Sequence, residues 1–588
     1  MSKSTSPRSE PRWRLPVRLS LIVLLLGLFS AFPFERTIAA DGSEVVILYA
    51  RQKPESRAVA EHYARARNVP ENQWIGLETT SDNAITRAEY IARIQTPILE
   101  TLSERGLLTY TNYISPATNG HLGGPAIRVT RSKVRYLVLC WGLPYRIVHD
   151  PLQNGELPKE APAAIKRNDA SIDSELTLLP TAGGYRLVAG LDNPFYKHVE
   201  RSHFHPTNGI MMVGRLDGPT PEIARSLVDK ALSCETNGFA GNAYFDLRNI
   251  TSGSYRTGDE WLTNAAAACK KVGLPTYVDN NPATFPATFP MSQIGVYMGW
   301  YVGSVDGPFT LPEVEFMPGA IAYHLHSFNG TQPRNPHSQW VGPLLAKGAT
   351  VTFGSVDEPF LEFTPNTHVF MELLATGGFT IGEAAVSSQP WLSWMNVFYG
   401  DPLFVPFQQN LNKQETEQIA RRSPTVDWTV LRKVNVFLAN PNDPSAIRES
   451  VIRHPPTTNS AILSEKVASM FADANQLKSA ILWARRALGN NPSPQQRVRI
   501  LLNLAEWLDL TSQSTEAVKA LREVEELRTD YTNFIPFRER QLVLARDASD
   551  TAEMNRIKAE IKRLREPPPA PAPAPAPPTP TPAAPGKP

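Results

Sequence analysis

The apolar run Ala320–Leu325 contains His324 and is followed at once by His326. Residues two apart on a strand point to one face, so both imidazoles share a side. A pair at that spacing can hold Zn²⁺ or another transition metal when a carboxylate joins it. Asp306, Glu313, Glu315, Asp357 and Glu358 lie in loops or turns that could supply one. The plainer reading is a pair of hydrogen-bonded core histidines, because H-x-H also arises in strands by chance. Cys140 closes another apolar run beside Trp141-Gly142 and has only His149 near it in sequence. A thiol there is a candidate nucleophile, although buried cysteine ordinarily behaves as a small hydrophobe.

These residues depend on the elements that carry them. From Val45 to about Phe407 the chain alternates short β-rich runs with helical patterns. The runs are Val45–Tyr49, Val134–Leu139, Ile210–Val213, Ile294–Met298, Ala320–Leu325 and Ala349–Phe353. Each is nearly continuous in apolar character, as strands covered on both faces should be. Helical spacing appears at Ser56–Arg67, Pro221–Leu232 and Gly258–Val272. This order predicts an α/β domain around one largely parallel sheet. Ligands of such sheets bind beyond the carboxyl ends of the strands. The segments there supply a predicted binding rim of Trp141, Arg146, Arg215, Asp217, Trp300, Tyr301, Asp306, Asn329, Asp357 and Glu358. Aromatic rings with polar edges suit a sugar or peptide ligand.

The two ends bound the setting. Arg8, Arg12, Arg14 and Arg18 precede the apolar run Leu19–Phe29, and Ala39-Ala40 stand before Asp41. A basic start, a short apolar core and small residues at the cut predict a signal peptide over residues 1–40. The expected location is therefore the periplasm or the extracellular space, with no membrane span left after cleavage. A formal charge of +2 with no basic cluster in the body gives no case for nucleic acid. Three cysteines are too few for a disulfide scaffold, though one Cys234–Cys269 bridge stays open. Residues 566–588 are rich in proline and alanine, which predicts an extended, solvated tail.

Glycine nearly vanishes from Ser464 to Leu564, where Ala, Leu, Glu, Arg and Gln dominate. Ala480, Ala484 and Ala487-Leu488, then Ala517, Ala520 and Leu521, have the small/large spacing of tetratricopeptide helix pairs. The 37-residue step from Ala480 to Ala517 lies near the repeat's period of about 34. Two or three such pairs should lean on the α/β domain, because free-standing solenoids prefer more.

Several strings carry a resemblance to an uncharacterised family of exported bacterial proteins from species that possess exosortase. They include RAEY at Arg87–Tyr90, ASIDSEL at Ala170–Leu176, GRLDGPT at Gly214–Thr220 and AYFD at Ala243–Asp246. GWYVGSVDGPFTLP at Gly299–Pro312, GAIAYHLHSFNG at Gly319–Gly330 and EPFLEFTPN at Glu358–Asn366 extend it over nearly all of 45–407. A more distant likeness is to the caspase-like fold of gingipain-type cysteine peptidases. That likeness implies a catalytic histidine where Tyr297-Met298-Gly299-Trp300 stands, and a thiol where His326-Ser327-Phe328-Asn329-Gly330 stands. Here Trp300 and Ser327 occupy those positions. A serine hydroxyl needs an adjacent base, and His326 and His324 are the sequence neighbours able to serve.

The domains expected are a signal peptide over 1–40, a caspase-like α/β domain over 41–410 and a linker over 411–463. A tetratricopeptide-like helical domain over 464–565 and the tail follow. The leading functional reading is a non-catalytic binding or scaffold protein of the envelope with a protein or glycan partner. A hydrolase using Ser327 with His326 or His324, and a metal enzyme around His324 and His326, are the alternatives. No cofactor is named by the sequence.

Overall fold

Runs without charge form strands only where both faces are covered, and the apolar segments of this chain pack in that way. The computed structural model describes residues 41–566 except 81, 119–120, 154–161 and 409. The expected signal peptide and all but the first residue of the expected tail lie outside the described residues.

The α/β part holds two main sheets. The first orders six strands as Thr352–Ser355, Asn396–Tyr399, Met212–Leu216, Tyr136–Cys140, Val45–Ala50 and Trp74–Leu77. Its pairs are parallel except that Thr352–Ser355 runs antiparallel to Asn396–Tyr399. The second orders four parallel strands as Thr276–Asn280, Asn242–Leu247, Ile294–Trp300 and Phe316–Leu325. A bridge between Ile321 and Val351 links the two. The single sheet expected from sequence is thus divided. Asn242–Leu247, broken by Asp246, and Thr276–Asn280, polar at both ends, were not among the expected strands.

Helices start where their caps put them. Thr220 accepts the Ile223 N–H and Pro221 takes the first helical position, opening Pro221–Asn237. Ala224, Leu227, Val228, Ala231 and Cys234 form its buried stripe.

Residues 411–463, expected to be a linker, instead hold the helices Leu411–Arg421, Val426–Leu438 and Pro444–Arg453. Their apolar and amide side chains fill space that a solvated linker would leave open. Gln418 donates to Asn237 O, Arg432 to Val272 O and Asn435 to Gly273 O. Three helix pairs follow, Ala461–Asp473 with Leu477–Gly489, Pro494–Leu510 with Ser514–Leu527, and Ile535–Asp547 with Thr551–Arg565. They lean on the α/β part as expected: Glu315 accepts from Ser493 Oγ at 2.6 Å and from Gln495 N–H at 2.8 Å. Among the described residues no helix is long and apolar enough to cross a membrane.

Candidate functional site

The loops leaving the strands' carboxyl ends meet one another. Arg334, beyond Phe316–Leu325, forms a two-pronged pair with Asp217, beyond Met212–Leu216, at 2.9 and 2.7 Å. Tyr145 donates to Thr331 O at 2.8 Å, and Arg146 pairs with Asp357. Proximity of these loops is what the sequence pattern predicted. Their chemistry differs between the two sheets.

On the first sheet the charges are buried and matched. Arg215 is fully buried, donates to Asp173 and to the carbonyls of Leu143 and Pro144, and lies 3.4 Å from Asp217. Burial raises the Asp173 pKa while Arg215 pulls it down. Arg334 closes the far side, stacked over Trp141 and Tyr145 at 5.7 and 5.6 Å. Trp141 donates to Gly218 O at 3.1 Å. A second network joins Arg146 and Arg167 to Asp169 and Asp357. Glu175, on the same short helix as Asp173, pairs with Arg87 at 2.7 Å and accepts from Tyr185 and Ser393. The strings RAEY, ASIDSEL and GRLDGPT therefore converge through space on one helix, Ile172–Thr177. Asp173, Glu175, Arg87 and Arg334 were missed as network residues, because only tertiary contact joins them. Arg215 and Asp217, expected on a binding rim, are inside it.

On the second sheet, Trp300 is also fully buried rather than rim-exposed. Its indole N–H donates to Asp259 at 2.8 Å, and Asp259 takes the N–H groups of Arg248 and Ile250 at 2.9 and 2.6 Å. The ring lies so close to Gly258 that a Cβ there would come within 2.3 Å of it. Trp300 thus ties the strand end to the helix Arg256–Lys271.

His324 is buried against Trp340, ring centroids 3.8 Å apart and planes 4° from parallel. Its Nε2 accepts the Val302 N–H at 3.1 Å, so the neutral ring carries its proton on Nδ1, 2.9 Å from the Tyr297 hydroxyl. Burial holds its pKa well below the usual range. Both nitrogens are engaged, which leaves His324 neither free to ligate a metal nor free to act as a base. Among the described residues no group of three or more His, Cys, Asp or Glu is arranged to hold a metal.

His326 points elsewhere: its Nδ1 lies 2.7 Å from Ser327 O and its ring 5.0 Å from that of Tyr301. The Ser327 hydroxyl donates to Glu358 at 2.8 Å, and that same oxygen accepts the Phe360 N–H at 3.0 Å. Asp306 is occupied as a cap, accepting from Gly307 N–H and Thr284 Oγ at 2.7 Å each. Buried Asn329 joins two strands, donating to His324 O and accepting from Ser355 N–H. Side chains that do face solvent are Tyr301, Phe328 and Tyr255, with Tyr255 and Tyr301 rings 5.7 Å apart.

Asp246 ends the AYFD string and is a site residue that local sequence does not single out. It is 1 % exposed; one oxygen accepts the Phe285 N–H at 3.2 Å and the other has no partner. Burial raises its pKa to about 7, with Asp279 and Asp306 adding to the rise. The mark it does leave is an acid ending an apolar strand run.

Cys140, Cys234 and Cys269 are all free and buried, and burial pushes each thiol's pKa up. The Cys234–Cys269 bridge is not formed, and Cys140 is not poised as a nucleophile.

No protein-family model matches this chain, and no curated protein matches it. Two crystal structures of MamA align at 14 % identity and TM-scores of 0.20 and 0.19, over 26 % of this chain and 88 and 89 % of theirs. A solved structure described only as a protease aligns at 12 % identity and TM-score 0.32, over 62 % of this chain and 79 % of that one. Scores this low decide neither fold family nor activity.

Proposed function

We propose that this chain is an exported envelope protein that binds a partner without catalysing a reaction. In this reading the α/β part is a caspase-like domain, the helix pairs are tetratricopeptide-like, and the protein serves exosortase-type sorting through a protein or glycan partner. The periplasm or the extracellular space is its place of work. One observation carries the non-catalytic half: the Ser327 hydroxyl is given to Glu358 while both nearby imidazoles are turned to other groups. A serine held by a carboxylate with no imidazole turned to it lacks the Ser–His pair that activates such a nucleophile. An indole at Trp300 donates but cannot accept a proton. The exposed rings of Tyr255, Tyr301 and Phe328 supply apolar faces for binding.

The competing hydrolase reading rests on His326. With Nδ1 donating to a carbonyl, its Nε2 is left as an acceptor. A fluorophosphonate probe separates the two. Folded full-length protein is expected to show no Ser327-dependent label, and Ser327→Ala to retain biological function. Modification of Ser327 in folded but not heat-denatured protein would overturn the proposal, with His326 the first base to test.

A further inference from the structure

A cavity of about 630 Å³ lies between the α/β part and the helices, at the amino ends of the second sheet's strands. It shares no residue with the Ser327 rim. Asn242, Thr276 and Gln293 bound it on the sheet side, and Trp428, Lys466 and Trp507 on the helical side.

Its polar groups are incompletely matched. Gln496 is 1 % exposed, and its Nε2 donates to Glu465 at 2.8 Å. That bond fixes the orientation of the amide, since a carboxylate needs a donor. The Gln496 carbonyl oxygen then has no partner, and neither does that of Gln293. Glu465 is committed to Arg499, at 2.7 and 2.9 Å. Lys466 has no carboxylate within ion-pair distance among the described residues. Burial lowers its pKa, Asp473 offsets this only in part, and a bound anion would relieve the rest. The cavity therefore asks for donors and for one negative charge.

The sheet wall adds a second demand. Thr276–Asn280 is an edge strand. Ala243 pairs with Thr276 in parallel register, and its N–H donates to Pro275 O at 2.8 Å. A parallel ladder then directs Tyr277 and Asp279 inward, and the N–H and C=O of Thr276 and Val278 outward. No hydrogen bond of those outward groups is formed among the described residues. Val278 is exposed. Unpaired edge groups beside a pocket are what strand addition uses.

We propose that this cavity and edge bind an extended, acidic peptide segment of another protein, which adds as an outer strand beside Thr276–Asn280 and sets a carboxylate against Lys466. The proposal deepens the binding reading, but it stands whether or not the Ser327 rim is catalytic. Residues 567–588 of this chain contain no Asp or Glu and many prolines without an N–H, so their sequence fits neither demand.

The probe is a fluorescein-labelled eight-residue peptide alternating Glu and Val, titrated into full-length protein and followed by anisotropy. Saturable binding is expected. Lys466→Gln should weaken it at least tenfold. Val278→Pro, which removes an outward N–H without touching the ladder, should abolish it. Methylating alternate peptide nitrogens should abolish it too, and that arm needs no protein variant. The counterpart alternating Lys and Val should not bind. No binding of the acidic peptide overturns the proposal, as does binding indifferent to both N-methylation and Lys466→Gln. Saturable binding of polygalacturonate that Lys466→Gln weakens, with no peptide binding, would assign the cavity to an anionic glycan instead. Circular dichroism checks that each variant is folded, and the fluorophosphonate result is independent of all these outcomes.

Discussion

The carboxyl ends of the first sheet and those of the second carry the same residue types and put them to opposite use. Around Arg215, each cation meets a carboxylate or a carbonyl, and the network binds loops that are far apart in sequence. Around Asp246, one buried carboxylate oxygen stays without a partner while the Tyr301 and Phe328 rings face solvent. Buried polar groups that are fully paired rigidify a structure. An unmatched buried acid marks a place where pH or a ligand can change it. The difference locates the adjustable part of this rim on the second sheet.

The largest test of that contrast is Arg215→Ala. It strands Asp173 in the interior while Asp217 keeps its pair with Arg334, and breaking a buried pair in this way costs about 3–5 kcal/mol. Urea unfolding should show that loss. A variant as stable as wild type would mean that the network is not the tie it resembles.

Asp246 sharpens the other side. Its folded pKa of about 7 stands above the ordinary aspartate value of about 3.9. Between those values the folded state holds the extra proton, so this group's contribution to stability is present below about pH 4 and is lost as pH rises through about 7. Tyr297, Asp279, Asp306 and Arg248 are the titratable or charged groups acting with it. Asp246→Asn should remove that slope. It should gain on wild type by on the order of a few kcal/mol at pH 8 and by little at pH 4, read from unfolding curves at both. Parallel pH profiles for the two proteins would exclude the raised pKa.

The smallest effect expected is at Gly258. In a helix, Gly→Ala ordinarily stabilises by about 1 kcal/mol. Here the methyl meets Trp300, and overpacking costs about 1–3 kcal/mol. A lower melting temperature for Gly258→Ala would hold Trp300 to its structural place, and a higher one would release it.

How much was legible depended on range. The apolar runs at Val45, Val134, Ile210, Ile294 and Ala320 found strands of both sheets, since burial on both faces leaves a mark in consecutive residues. Glycine depletion after Ser464 found the helix pairs, but the three helices of residues 411–463, one polar and one largely apolar, share no repeat pattern that would have marked them. At the site, His324, His326 and Ser327 were found as neighbours in sequence. Their partners Tyr297, Val302 and Glu358 were not, so a base and a metal ligand stayed open beside the plainer structural tie.

The sequence alone therefore determined the alternation of strands and helices and which loops would gather at strand ends, because those follow from local patterns of apolar residues. Tertiary structure decided that Trp300, Arg215 and Asn329 are interior and that Ser327 faces a carboxylate. It also decided that Lys466 and the start of the Thr276–Asn280 edge line one cavity from opposite sides. Burial and hydrogen-bond partnership are properties of pairs distant in the chain, and no run of neighbouring residues encodes them.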